Sequence, residues 1–352
     1  MFTNLETYQS RFWLKEEFLK KIGKSSSGFL LELFSRVDAL VDQDLVYYDH
    51  QMDMETCFEK YSFHEFKWHQ TPNGDMEWIF MLNRQGYLVD LAVAFYITKE
   101  EKYLKKWKEI VFDFILENEE EISHPEASWR VLDAGIRLMN WVKSLTYLPL
   151  SEFSEVERKK IQEAMILHAN YIRTHLQEKH LLSNWGVLAV SGVLSFVYFS
   201  NEQPELYLWA KETLLKQASL QFTKTGLHWE QSPLYHHQVV MCFAYLYQIA
   251  CYMGYEDQYL WKEVLLEPIR ASYYLSNSNH MLLALNDSDT VDFSWVHSYY
   301  HLLGFESECP EYTMGVLYSG RAFDKKHKVK LDEWFYDEVG GLTVVKNSDI
   351  YF

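Results

Sequence analysis

The sequence predicts a mainly α protein, an incomplete α/α toroid of helical hairpins with a β-domain beginning at its C-terminal end. Three observations lead there. Apolar residues recur with helical periodicity up to about residue 305 of the 352. The helical stretches come in successive pairs of similar length joined by short turns, which suits a double ring of helices; an open solenoid is the alternative, and no strict sequence repeat favours it. Near residue 335 the texture changes to β-branched alternation around a Gly-Gly turn.

The elements follow in order. "EWIFMLNRQGYLVDLAVAFYITK" (77–99) carries a wide apolar stripe and reads as one helix, answered after a short turn by "EEKYLKKWKEIVFDFILEN" (100–118). "ASWRVLDAGIRLMNWVKSLTYL" (127–148) pairs with "SEFSEVERKKIQEAMILHANYIRTHL" (151–176), and "SNWGVLAVSGVLSFVYF" (183–199) with "PELYLWAKETLLKQASLQF" (204–222). A further pair is "SPLYHHQVVMCFAYLYQIACYMG" (232–254) with "DQYLWKEVLLEPIRASYYLSN" (257–277). Pro72, Pro125, Pro149, Pro204, Pro233 and Pro310 fall near helix boundaries, where proline is tolerated; Pro268 lies inside a helix and is expected to kink it. The last stretch, "EWFYDEVGGLTVVKNSDIYF" (333–352), reads as the first strands of a second domain, with a small docked hairpin as the alternative. The expected division is 1–330 for the helical domain and 331–352 for the β-region.

Hydrophobic residues make up 48% of the chain, enough for a sizeable core and too many for disorder. A formal net charge of −17 gives no basic face for nucleic acid. No uncharged run is long enough to cross a bilayer, so no membrane partner is expected. Aromatic residues reach 17%, and Trp and Tyr faces line sugar-binding grooves as well as cores. Cys57, Cys242, Cys251 and Cys309 show no CxxC spacing; Cys242 and Cys251 sit in an apolar stretch and read as buried free thiols. With no secretory leader at the N-terminus, the expected compartment is the cytoplasm.

The densest chemistry is "GLHWEQSPLYHHQ" (226–238). Ser232 is a good N-cap and Pro233 a good first helical residue, which places Tyr235 in the first turn, at the positive end of the helix dipole. An unperturbed tyrosine titrates at about 10, so as a base it needs that help, whereas as a general acid it needs only reach. His236 and His237 point in different directions from such a helix. "HLLSNWGVLAVSG" repeats the arrangement, with Ser183 or Asn184 capping a helix and Trp185 following. If alternate helices form an inner ring, their like-facing ends converge, and Asn184 and Tyr235 meet across one cleft. Trp129 and Arg130 stand at another such mouth, and Asn83 and Arg84 lie mid-helix on a face open to the ring. "LLALNDSDT" holds Asn286, Asp287 and Asp289 without His or Cys at ligand spacing, and reads as a structural loop. There is no phosphate loop, GxSxG elbow, HExxH or zinc spacing, so neither metal nor cofactor is expected in this domain.

The order "EWIFMLNRQGYLVDLAVAF", "SWRVLDAGIRLMNW", "SNWGVLAVSGVL", "GLHWEQSPLYHHQVV" and "LLALNDSD" resembles the helical domain of heparinase II/III-like polysaccharide lyases from about residue 70 to 295. "YDEVGGLTVVKN" resembles the first strands of that family's C-terminal β-sandwich. The resemblance implies β-elimination on a uronic-acid-containing glycan, heparan sulfate above all, with an anionic oligo- or polysaccharide as partner. It implies Tyr235 as the acid, and as a candidate base, with Asn184 hydrogen-bonding the uronate carboxylate. It makes His236, Glu230, Arg84 and Trp185 cleft candidates. Trp185 stands where many relatives carry His, which removes a His from that motif and offers a sugar platform instead. A further catalytic His or Tyr is expected from the sandwich, so this stretch of chain is expected to hold half of its active site. A toroid glycoside hydrolase with paired carboxylates, or a non-catalytic carbohydrate-binding domain, is the alternative.

Overall fold

The computed structural model describes residues 4–23, 27–46, 61–62, 68–118, 122, 124–200, 203–305, 313–321, 334–347 and 350–351. The fold is the mainly α one expected. Its contacts divide into two compact units, Met1–Leu176 with Ala189–Ala210, and Gln177–Leu188 with Lys211–Phe352.

The first unit holds α1 (Leu5–Phe12), α2 (Glu16–Gly23), α3 (Gly28–Gln43), a short antiparallel ladder of β1 (Leu45–Val46) with β2 (Tyr61–Ser62), α4 (Met76–Arg84), α5 (Tyr87–Thr98), α6 (Glu101–Glu117), α7 (Pro125–Ser128), α8 (Val131–Tyr147) and α9 (Glu155–His175). The pairs α5/α6 and α8/α9 are the expected hairpins. Helix α9 starts on a capping box, Glu157 N donating to Ser154 Oγ (3.2 Å) and Ser154 N to Glu157 Oε2 (2.7 Å).

The stretch expected as one helix over 77–99 is two. Gln85 sits in the left-handed region (φ 54°) and ends α4 before Gly86 and α5. The break is held by partners the local sequence does not announce. Trp141 Nε1 donates to Gln85 Oε1 (2.6 Å), and Asn140 Nδ2 to the Arg84 carbonyl (2.8 Å), which the helix end leaves open. Asn83 and Arg84 therefore occupy the last turn of α4 rather than mid-helix.

Nearly every residue of α5 is buried, so it lies in the unit's core rather than on its surface. Beside it, Arg137 of α8 is fully buried. Its Nη1 donates to the carbonyls of Asn83 and Ser128 (2.8 Å each), and its Nε to His168 Nε2 (2.8 Å). Gly135 of α8 meets Ala189 backbone to backbone: a Cβ there would lie 2.2 Å from the Ala189 Cα.

Helices α10 (Asn184–Phe199) and α11 (Pro204–Gln221) cross the boundary between the units. The second unit continues with α12 (Pro233–Met253), α13 (Asp257–Tyr274), α14 (Ser294–Leu302), α15 (Thr313–Ser319), β3 (Trp334–Asp337), β4 (Leu342–Asn347) and β5 (Ile350–Tyr351). The expected start of α12 is present: Ser232 caps it, accepting from Tyr235 N (3.3 Å), and Pro233 is its first residue. Helix α13 runs through Pro268, whose carbonyl accepts from Ser272 Oγ (2.9 Å).

Strands β3 and β4 pair antiparallel with Phe335 opposite Val344. Alternation turns these two inward onto Ala271 and Tyr274 of α13, where Phe335 stacks on Tyr274 at 4.9 Å. Cys242 is buried and Cys251 half-buried, and neither forms a disulfide; Cys57 and Cys309 lie outside the described residues, as does Pro310.

Candidate functional site

In the second unit the start of α10 and the segment leading into α12 come together. Ser183 caps the first turn of α10, its Oγ accepting from Trp185 N (3.2 Å). The Asn184 backbone N–H, one of the donors a helix start leaves open, is taken by Glu230 Oε1 (3.0 Å). The Asn184 side-chain amide reaches Gln238 Oε1 (3.4 Å), and its own Oδ1 accepts from Ser183 Oγ (3.3 Å). Gln238 is three residues beyond Tyr235, on the same face of α12. Asn184 and Tyr235 thus stand on one side of that helix. Tyr235 is half-buried, Asn184 mostly buried, and Trp185 and Trp229 are 40% and 49% exposed.

Beneath these groups lies a buried polar chain. The Gln221 amide donates to the carbonyls of Leu181 (2.8 Å) and Ser183 (3.1 Å), so its Oε1 is the acceptor facing His228 Nε2 (3.0 Å). The His228 backbone N–H donates to His236 Nδ1 (3.3 Å), which puts the His236 proton on Nε2, 3.0 Å from the Pro268 carbonyl and from Ser272 Oγ. Burial pushes the His228 imidazole down to about 3 and His236 to about 4, so both are neutral at physiological pH. His237 is also buried and held well below its ordinary value, its Nδ1 facing Tyr300 OH at 3.3 Å. The two histidines do diverge from α12 as expected. Both face protein, however, and His236, expected in the cleft, is fully buried against α13.

The turn before Trp229 is fixed from two sides. Gly226 has φ 84°, and a Cβ on it would lie 2.2 Å from the Glu267 carbonyl carbon of α13. Asp337 at the end of β3 accepts from Thr223 Oγ1 (2.5 Å), Thr225 Oγ1 and Gly340 N. The loop expected to be structural ties the start of α12. Asn286 Nδ2 donates to the Gln231 carbonyl (3.0 Å), and Ser288 Oγ accepts from Leu234 N (3.2 Å). Burial pushes the Glu230 carboxyl up, the Asn184 N–H opposes this, and the charge of Asp287 adds to it.

The other candidates belong to the first unit. Arg84 Nε (2.8 Å) and Arg130 Nε (2.6 Å) both bind the fully buried Asp133, and the Arg130 guanidinium lies on the Phe80 ring. Asn83 is fully buried, its amide donating to the carbonyls of Trp68 (2.8 Å) and Ile79 (2.9 Å). Trp129 is fully buried too, its indole N–H on Asn118 Oδ1 (2.7 Å) and its ring near the Arg137 guanidinium. Both were expected on a substrate-facing surface; the Arg137 bonds to the Asn83 and Ser128 carbonyls draw their segments inward.

Sequence reasoning missed Gln238 and Trp229. Helical spacing from Tyr235 marks the first, and the residue before Glu230 is the second. Among the described residues no group of three or more His, Cys, Asp or Glu side chains is arranged to hold a metal ion.

A family model described as the heparinase II/III N-terminus matches residues 31–308. Among solved structures, the chain is similar to the heparan sulfate lyase HepC from Pedobacter heparinus, with 19% identity, a TM-score of 0.58, and coverage of 79% of this chain and 43% of that one. It is similar to a heparinase III at 17% identity and TM-score 0.65, covering 87% and 51% of the two chains. A second heparinase III gene product matches at 16% identity and TM-score 0.56, covering 94% and 60%. At these identities the likeness is one of fold, and the chain spans about half the length of these structures. No curated protein matches the sequence.

Proposed function

Because the chain belongs to the heparinase II/III N-terminus family, we propose that it is the helical part of a polysaccharide lyase that cleaves a uronic-acid-containing glycan by β-elimination, heparan sulfate being the substrate that best fits its structural neighbours. The observation that carries the reading is the meeting of Asn184 and Gln238, which sets an amide and the Tyr235 phenol on one side of α12 at a helix mouth. In the elimination, a base, either Tyr235 itself or a group from the β-sandwich, takes the C5 proton of the uronate, and the C–H electron pair passes into the carboxylate as an enolate. That pair forms the C4–C5 double bond as the C4–O bond breaks, and the departing oxygen takes a proton. On this reading Asn184 hydrogen-bonds the uronate carboxylate, so that it can bear the enolate-like charge, and Tyr235 gives the proton to the leaving oxygen. The buried His228–His236 chain stays neutral and holds the α12 mouth in place. Residues 331–352 are taken as the start of the β-sandwich, the source of a further base.

Glu230 and Asp287 favour a second reading, a hydrolase, since a carboxyl raised by burial beside a second carboxyl is the arrangement of a general acid with its partner. The products separate the two. A lyase leaves an unsaturated C4–C5 end that absorbs in the ultraviolet, and a hydrolase leaves saturated ends. Incubating the protein with heparan sulfate, unsulfated heparosan, hyaluronan and alginate, while following absorbance and reducing ends together, is the test. The proposed compartment is the cytoplasm, on the strength of Cys242 and Cys251 standing outside any disulfide. No described helix is long and apolar enough to cross a membrane.

A further inference from the structure

Tryptophan in this protein is mostly interior: Trp78, Trp107, Trp129, Trp141 and Trp261 are fully buried. Among the described residues, the strongly exposed ones are Trp185, Trp229 and Trp334. Two of these three, Trp185 and Trp229, lie at the start of α10. Trp229 Nε1 donates to the Leu182 carbonyl (2.7 Å), and the neighbours of the two rings, Glu230 and Asn184, are joined at 3.0 Å. A large aromatic left half in water forgoes the gain of burial, so its exposure calls for an occupant.

We propose that Trp229, together with Trp185, forms a stacking platform for a pyranose ring of the glycan, a sugar subsite beside Asn184 and Tyr235. Three features choose a sugar. The single polar group of the Trp229 ring is already satisfied by backbone, so what it offers outward is apolar ring face. That bond also fixes the ring before any ligand arrives, which lowers the ordering cost of stacking. The rim of the patch is polar, with Glu230, Asn184 and Gln238 beside it. A pyranose matches this, with C–H groups on its face and hydroxyls on its edge. Leu182, whose carbonyl holds the indole, is itself an exposed apolar residue.

The inference rests on the lyase reading only for the identity of the glycan, and binding tests it apart from turnover. In a Tyr235→Phe background, oligosaccharides of heparosan, alginate and a neutral glucan are titrated while tryptophan fluorescence is followed. At least one is expected to shift the emission. Trp229→Ala is expected to weaken that oligosaccharide about tenfold, equal to ~1.4 kcal/mol, and Trp185→Ala to weaken it less. Trp229→Phe, which keeps a ring without the N–H, should fall between. Because Trp229 is half in water, Trp229→Ala should leave the melting temperature close to that of the parent; should it not fold, Trp185→Ala and Trp229→Phe carry the test. With Tyr235 restored, Trp229→Ala should raise KM and leave kcat nearly unchanged. Unchanged affinity in Trp229→Ala, or no response of the parent to any of the three oligosaccharides, overturns the platform. Absence of unsaturated product with binding and its loss intact sinks the lyase reading and leaves the platform standing.

Discussion

Replacing Glu230 by Gln separates the two chemistries that the site allows. Its Oε1 accepts the Asn184 N–H at 3.0 Å, at the start of α10. Gln keeps a carbonyl oxygen in that place, so the first turn stays capped, whereas Ala removes the acceptor. A cap or a hydrogen bond to a charged group contributes about 1–2 kcal/mol, so Glu230→Ala should lower the melting temperature by roughly 1–3 °C. Glu230→Gln should not lower it at neutral pH. The sign follows from the carboxyl being pushed up by burial. The folded state holds the proton more tightly than the unfolded one, so wild-type stability declines as pH rises from the ordinary 4.5 through the higher folded value. Gln removes that slope. In activity, a lyase using Tyr235 and Asn184 should keep kcat within about threefold in Glu230→Gln. A hydrolase using Glu230 as its acid should lose about 10²–10⁴-fold. Denaturation melts from pH 4.5 to 7.5 and initial rates by reducing ends read both. A hundredfold fall in the rate of Glu230→Gln with its melting temperature intact would show that Glu230 does more than cap α10, would refute the lyase assignment to Tyr235 and Asn184 alone, and would favour the hydrolase.

Tyr235→Phe should lower kcat by about 10²-fold or more with little change in KM or melting, because Ser232 and Pro233 rather than the phenol set the helix start; initial rates on heparan sulfate check it. Gly135→Ala drives a Cβ to within 2.2 Å of the Ala189 Cα and should cost about 3 kcal/mol in urea unfolding. Asp337 is held below its ordinary value by Thr223, Thr225 and the Gly340 and Val339 N–H groups, against the burial that raises it. Its contribution is therefore full above pH 3.8 and lost as pH falls through the lower folded value, and Asp337→Asn should flatten the acid end of the stability profile. His228 and His236 have folded values near 3 and 4, so the unfolded chain binds their protons first. Wild-type stability should decline as pH falls from 6.5 toward 4, and His236→Gln should make that decline shallower in guanidinium titrations.

The parts legible in the sequence were those set locally. Ser232 and Pro233 define the mouth of α12 by their own backbone preferences, and "GLTVV" alternates because a strand must. The break at Gln85 is different in kind. A helix-forming run is interrupted because Trp141 and Asn140, more than fifty residues away, hold the left-handed turn. A position at a helix mouth likewise says nothing of which way a side chain turns. Trp129 and Asn83 face inward because Arg137 binds the carbonyls of Asn83 and Ser128, and His236 because Pro268 offers a carbonyl where the ring arrives. Glu230 was visible as a polar residue near Tyr235. Its bond to the Asn184 backbone, which brings the two motifs together, depends on a contact 46 residues apart in sequence.

The most direct measurement of β-elimination is ultraviolet absorbance during incubation of the protein with heparan sulfate and the other uronate polymers, with reducing ends counted in parallel. A lyase acting through Tyr235 raises absorbance and new ends together on at least one polymer, and loses both in Tyr235→Phe. New ends without absorbance, or wild-type rates in Tyr235→Phe, would contradict that mechanism.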